Sequence, residues 1–335
     1  MATIQEVARL AGVSTATVSR VLNDSYTVSE KRKKQVLDAV RALDYRPNII
    51  GRNLSRNENR TILVVSGAID GAMLRGAHSA AKELGYDVIL SYSEIGDRGD
   101  ALKYFENGLA GGLLFINFFE PDEAVTGLCR KYPVVQCAEY VDIPEACFVS
   151  IHDREASYEI TEMLIKQGRR RFSFFAPYKS KYRELHFAEE RKAGFLQALS
   201  DYGIPYDPEL TRYISVSLYD EAKEQAMLLA QLPPDKRPDA VVCAQDIFGI
   251  ACVNTFRNMG IPVPGEIAVT GFDNRGLSRQ STPMLTTVSQ PFFEMGAESA
   301  RMLIAIMNKD PDVNRRVFLK HEIIIRGSTQ LTVDN

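Results

Sequence analysis

The segment Thr3–Asn23 constrains this chain more than any other, because it reads as two short helices separated by a tight break. Thr3 and Glu6 have the Thr-x-x-Glu spacing of a capping box, in which a hydroxyl and a carboxylate satisfy each other's backbone amides at a helix start. Ile4, Val7, Ala8 and Ala11 then recur at helical spacing on one face. Gly12 is placed to stop this helix, and Ser14 to cap the next through its hydroxyl. On the second helix Thr17, Val18, Val21 and Leu22 share one face, while Thr15, Ala16, Ser19, Arg20 and Asn23 share the other. The outer face is short-chained and polar, with one arginine. It suits a helix lying close to base edges in a major groove. A helical hairpin that binds nothing would show the same spacing, so the flanking segments decide between the two.

Ser29 can cap a third helix over Glu30–Leu43, with Val36, Leu37, Val40 and Leu43 as its apolar stripe, ended by Tyr45 and Pro47. Lys31–Lys34 is a basic run that reads equally as a solvated face. Residues 48–55 are too short and too poor in apolar side chains to be stable alone. The run Thr61–Val65 then opens a second unit. This places a helical headpiece over 1–47, a linker over 48–59 and a core from residue 60 to the end. The charge follows the same division. Residues 1–60 carry 11 Lys and Arg against 6 Asp and Glu, a net of +5, and the rest of the chain holds −8 of an overall −3. A basic module on an acidic body fits a protein that touches nucleic acid at one end only.

From residue 61 onward, short apolar runs alternate with helical patterns. Strands are expected at 61–65, 86–90, 112–116, 133–136, 147–151, 171–175, 212–215, 240–243 and 267–270. Helices are expected at 72–84, 100–107, 122–131, 155–167, 189–202, 220–231 and 247–259. Such alternation implies parallel, doubly wound α/β sheets.

Other classes find little footing. Gly67, Gly71 and Gly76 follow the first strand without Gly-x-Gly-x-x-Gly spacing, and neither a Walker lysine nor a Gly-x-Ser-x-Gly elbow occurs. The four histidines show no metal-ligand spacing, and the five cysteines read as reduced. No catalytic residue, metal or cofactor is expected. The amino terminus lacks the basic start and apolar core of a signal peptide, and no apolar run reaches membrane-spanning length. A cytoplasmic chain without a membrane partner is expected.

The chain resembles the LacI/GalR family of bacterial transcriptional regulators. The likeness rests on Ala2–Ala8, Gly12–Asn23, Asp44–Asn48 with Arg52 and Leu54, Leu74–Gly76, Gly271–Asn274, Pro283–Pro291 and Arg326–Thr329. Through Thr15–Leu22 and Glu322–Thr329 it is somewhat more similar to the nucleoside-responsive repressors.

The resemblance implies a homodimer on a palindromic, double-stranded operator, and a core of two lobes like those of periplasmic sugar-binding proteins. Three chain crossings are expected near His152, Leu285 and Val317, which assigns 61–151 and 286–316 to lobe 1, and 152–285 and 317–330 to lobe 2. A small-molecule effector, a sugar or a nucleoside, would sit between them; a phosphoprotein corepressor is the alternative. On DNA, Arg20 suits guanine, Ala16 a thymine methyl, and Thr15 a base edge or phosphate, with Ser19 beside them. Thr3, Thr17 and Asn23 suit phosphates. Leu54 would wedge into the central minor-groove step, flanked by Arg52 and Arg56.

In the cleft, motif position points to Asp273, as ligand contact or turn aspartate, and to Arg191, as ligand contact or surface salt bridge. Asp246 reads as contact or N-cap. Asn117 and Phe118 end a strand. Leu185, Phe187 and Leu218 are a stacking wall or ordinary packing. Two features depart from the family pattern. Ser66–Asp70 shortens the loop after the first strand, and His152-Asp153 replaces the usual Asp-Asn pair, as a pH-sensitive group or a hydrogen-bonded hinge histidine.

Overall fold

The structure is a computed structural model describing residues 2–22, 28–45, 59–67, 71–92, 103, 105, 107–117, 122–177, 185–215 and 218–330. It divides into two units, Met1–Arg60 and Thr61–Asn335. The expected contacts Asn23, Arg52, Leu54, Arg56 and Phe118 lie outside the described residues, as does most of the helix expected at 100–107.

The first unit holds α1 (Ile4–Ala11), α2 (Thr15–Leu22) and α3 (Glu30–Ala42). Both halves of the capping box form: the Glu6 amide donates to Thr3 Oγ1 at 3.3 Å, and the Thr3 amide to Glu6 Oε2 at 2.8 Å. Gly12 takes the left-handed conformation, φ 64°, that ends α1 at no Cβ cost. The Thr17 amide donates to Ser14 Oγ, so the cap of α2 forms as well. Ser29 occupies the N-cap position of α3, but its side chain makes no capping bond. Val7, Val18 and Val36, one from each helix, are fully buried against one another with Ala8, Ala11, Val21 and Ala39.

The second unit is two α/β lobes. The first sheet orders its strands β11-β5-β4-β3-β1-β2, and all its pairings are parallel. These strands are β1 (Thr61–Ser66), β2 (Asp87–Tyr92), β3 (Gly112–Ile116), β4 (Val134–Cys137), β5 (Phe148–Ile151) and β11 (Arg316–Leu319). The second sheet runs β12-β10-β9-β8-β6-β7, parallel except for the β10–β12 pair. It comprises β6 (Phe172–Pro177), β7 (Thr211–Ile214), β8 (Ala240–Cys243), β9 (Ala268–Asp273), β10 (Thr286–Ser289) and β12 (Glu322–Ile324). Helices cover both faces, which is why β1 can be apolar without alternation: Ile62, Leu63, Val64 and Val65 are all buried.

The strand pairing corrects two of the expected crossings. The chain leaves lobe 1 after β5. It returns only after β10, because Thr286–Ser289 pair with Thr270–Asp273 in the second sheet. The third crossing follows β11, whose Arg316–Leu319 pair with Phe148–Ile151 in the first sheet. The expected limit at 285/286 therefore assigns all of β10 to the wrong lobe, and the one at 316/317 cuts β11 after its first residue.

Two close helix crossings lock the lobes internally. In lobe 1, α4 (Gly71–Glu83) meets α10 (Phe292–Met307), a helix the sequence reading omits. A Cβ on Gly76 would collide with the Phe293 carbonyl, and one on Gly296 with the Met73 carbonyl. In lobe 2, α6 (Asp153–Lys166) and α7 (His186–Asp201) approach so closely that a Cβ on Gly194 would strike the Arg154 carbonyl.

Candidate functional site

On α2 the expected outward face is outward. Thr15, Ala16 and Arg20 are exposed, and Ser19 is partly so. Val18 and Val21 pin the opposite face into the three-helix core. Thr17 is partly buried, with its hydroxyl 2.9 Å from Ser14 Oγ. Thr3 is exposed, and its hydroxyl serves the capping box.

The second candidate site is a cleft of about 270 Å³ between the lobes. It opens where strands end, and there the backbone is least ordinary. Asn117 after β3 has φ 46°, Ala138 after β4 has φ 71°, and Asp273 at the end of β9 has φ 115°. Non-glycine residues held at such angles cost about 1–3 kcal/mol each and persist where the surrounding structure dictates them, commonly at binding sites.

At the centre lies Arg191, on the first turns of α7 and only 5% exposed. Its Nε donates to Asp153 Oδ1 at 2.7 Å, its Nη1 donates to the Ala244 carbonyl at 2.7 Å, and Nη1 lies 3.7 Å from Asp273 Oδ1. The guanidinium sits between the rings of Phe272 and Phe187, 3.5 and 4.6 Å from their centroids. Arg191 is thus a buried ion pair rather than a surface bridge, and its donors face protein acceptors. Burial pushes the Asp153 carboxyl up, while Arg191 holds it down.

Asp246 begins α9 (Asp246–Asn258), but Gln245 holds the N-cap position. The Asp246 carboxylate instead accepts from Thr287 Oγ1 at 2.5 Å and from the Arg275 amide at 2.7 Å. Burial, then the neighbouring Asp273 charge, pushes its carboxyl up to about 7. Gly271 permits this arrangement, since a Cβ there would meet Asp246 Oδ1 and Leu285. Asp273 accepts from Gln290 Nε2 at 2.7 Å and lies 3.5 Å from Arg275 Nε.

Asn117, Phe187, Arg191, Asp246 and Asp273 therefore share one cleft. Leu185 and Leu218 do not line it: Leu185 is buried against Ala188, and Leu218 is 51% exposed at the start of α8 (Tyr219–Ala230). The sequence reading did not select Glu139, Asp153, Gln290 or Phe292, all of which line the cleft. Gln290 falls inside the Pro283–Pro291 motif, so a signal for it existed. Nothing in the pattern marks Glu139. His152 stacks on Phe318, with centroids 4.0 Å apart, and makes no helix-capping bond.

Glu139 ties the lobes together. It follows β4 in lobe 1 and is 2% exposed, yet its carboxylate accepts from the amides of His186 and Phe187, at 2.9 and 3.2 Å, at the start of α7 in lobe 2. A carboxylate is favoured there because the helix N-terminus presents unpaired amides and a partial positive charge. Beside it the Tyr140 hydroxyl lies 2.9 Å from His186 Nε2.

A three-helix headpiece with an outward polar helix face, on a chain whose core is a two-lobed cleft, is the architecture of a DNA-binding transcriptional regulator. Residues 3–48 match the model of the bacterial regulatory proteins of the lacI family, and residues 161–329 that of a periplasmic binding protein-like domain. The chain is 32% identical to the HTH-type transcriptional regulator RegA of Clostridium saccharobutylicum, over 97% of this chain and 98% of that one. It is also 32% identical to the HTH-type transcriptional repressor CytR of Escherichia coli K12, over 98% and 96%. A solved transcriptional regulator, CelR in complex with cellobiose, superposes with a TM-score of 0.71 at 27% identity, covering 98% of this chain and all of that one. The chain belongs to the lacI family of bacterial regulatory proteins. Its relatives are transcription regulators, not enzymes. No helix among the described residues is long and apolar enough to cross a membrane.

Proposed function

We propose that this protein is a repressor that binds a palindromic operator as a homodimer, in the cytoplasm, and is controlled by a small ring compound, a sugar or a nucleoside, held between its lobes. The observation that carries the reading is the cleft itself. Aromatic side chains Phe187 and Phe292 stand beside carboxylates and amides at the ends of strands from both lobes. Apolar walls with a few fixed polar groups are the usual makeup of a small-molecule site, and the carboxyl ends of parallel strands are its usual place. The repressor CytR and the cellobiose complex of CelR support the direction of control and the ligand class.

On DNA, Arg20 reads a guanine through O6 and N7, Ala16 contacts a thymine methyl, and Thr15 and Ser19 lie against neighbouring edges. Thr3, Thr17 and Asn23 set register through phosphates. Arg52, Leu54 and Arg56 form the minor-groove element, with Leu54 wedging the central step. Effector closes or opens the lobes through the Glu139 tie, which changes the spacing of the two linkers in the dimer. Coupling of this kind amounts to about 1–3 kcal/mol.

The test is a mobility shift of the purified chain on palindromes from upstream of its own gene, repeated with a panel of sugars and nucleosides. Tight binding to one palindrome, altered by one panel member, is expected, together with loss of DNA bending in Leu54→Ala. No preference for any duplex over random DNA at physiological salt overturns the reading.

A further inference from the structure

The cleft carries a charge pattern that narrows the class of ligand, and this inference rests on the proposed function above. Four carboxylates line it among the described residues, from Glu139, Asp153, Asp246 and Asp273, against two guanidiniums, from Arg191 and Arg275. The cations are spoken for: Arg191 by Asp153 and the Ala244 carbonyl, and Arg275 by Asp273. Glu139 is met by the amides at the start of α7. Asp246 differs from the other three. Its partners are a hydroxyl and one amide, both neutral, and the Arg326 charge is the weakest of the effects acting on it. It is a 2% exposed carboxylate at the cleft wall with no ion-pair partner among the described residues.

We propose that the cleft takes a single-ring compound bearing a protonated amino group, such as an amino sugar, and that Asp246 is the residue that selects it. An ammonium beside Asp246 supplies the countercharge that the protein leaves out. A hydroxyl at the same place donates a hydrogen bond but no charge, and in a low-dielectric site a charge-assisted bond is about twice as strong as a neutral one. An anion, such as a phosphate or a carboxylate, meets carboxylates and finds both guanidiniums committed. The apolar walls from Phe187, Ile247 and Phe292 suit the ring faces. The volume of about 270 Å³ lies below the roughly 300–1,000 Å³ of drug-sized sites and suits one ring rather than two.

Asp246 sits near the midpoint of its titration at pH 7. Ammonium binding draws it into the ionised form, so part of a proton passes from Asp246 to the buffer. The charges of Asp273 and Arg326 act on the same carboxylate, and with the Thr287 hydroxyl and the Arg275 amide they set the size of that release.

The experiment is titration calorimetry of the full chain at pH 7, in two buffers of different ionisation enthalpy. Matched pairs serve as probes: glucosamine with glucose, galactosamine with galactose, and mannosamine with mannose, plus glucose 6-phosphate. Expected is one amine bound at least tenfold tighter than its hydroxyl partner, with protons released to buffer. In an Asp246→Asn variant that still binds operator, both the preference and the release disappear. A hydroxyl partner or the phosphate binding tightest overturns the amine assignment and leaves a small-ring effector standing. Amine preference retained in Asp246→Asn overturns the role of Asp246. A chain that binds operator yet responds to none of these probes overturns both the amine assignment and the small-ring reading beneath it.

Discussion

Asp246 and Arg191 show how much a single side chain's role depends on what surrounds it. Asp246 has a carboxyl raised to about 7, above its ordinary value of 3.8. A raised acid is favoured in its protonated form by the fold, so its stabilising effect is present below the ordinary value and is lost as pH rises toward 7. Asn does not titrate. Between pH 5 and pH 8, chemical denaturation should therefore show the stability of Asp246→Asn improving relative to wild type by about 2 kcal/mol. A constant difference across that range would mean that Asp246 ionises freely in the folded protein. Arg191 is the opposite case, a buried cation with carboxylate partners. Arg191→Met should cost about 3–5 kcal/mol, because Asp153 is left buried without its countercharge. Part of that loss should return in the double variant with Asp153→Asn, as a double-mutant cycle would register. Sequence alone placed Arg191 near the cleft but left it between ligand contact and surface bridge. Nothing in Glu190-Arg191-Lys192 indicates that Phe272, 81 positions later, will cover the guanidinium.

Among the elements, those with local start and stop signals were the legible ones. The box of Thr3 and Glu6 and the left-handed Gly12 act within four residues, so α1 can be read directly from the chain. The strands β10, β11 and β12 escaped because their pairing partners, not their own residues, hold them in a sheet. The helix α10 begins at Phe292 after Pro291 and carries a mostly apolar stretch without clear alternation, since it is buried against both α4 and the first sheet. The α4–α10 crossing tolerates no side chain at its closest point. Gly76→Ala should destabilise the core in thermal unfolding by about 1–3 kcal/mol, through overpacking against the Phe293 backbone. A gain in stability, expected from helix propensity alone, would disprove the close approach. Glu139 acts between elements. Glu139→Gln keeps an acceptor at the start of α7 but removes the charge that complements the helix end, a difference of about 1 kcal/mol. Solution scattering should show a larger radius of gyration for the free protein, and effector affinity should fall roughly fivefold. An unchanged radius would show that the tie does not hold the lobes.

At the scale of the whole molecule, charge separates the two tasks. The basic headpiece meets a polyanion through exposed groups, while the cleft buries most of its charges, Glu139, Asp153, Arg191, Asp246 and Asp273. Raising salt from 50 to 200 mM should weaken operator binding by about 10³–10⁵ if six to ten phosphates are contacted. Effector affinity over the same range should change several-fold at most, because buried pairs are screened far less. Equal sensitivity of the two would place the DNA affinity in something other than phosphate contacts.

By itself the sequence determined the three-helix headpiece, its outward face, the alternation of strands and helices, and the family. Those properties rest on periodicity, caps and motifs that operate over a few residues or survive as fixed strings. Only the tertiary structure decided that β10 belongs to the second lobe and β11 to the first, that Arg191 is committed to protein partners, that Leu185 and Leu218 stand apart from the cleft, and that Glu139 clasps α7. Each depends on groups far apart in the chain meeting where water is excluded. Burial and ionisation belong to the assembled molecule and leave no mark in local spacing.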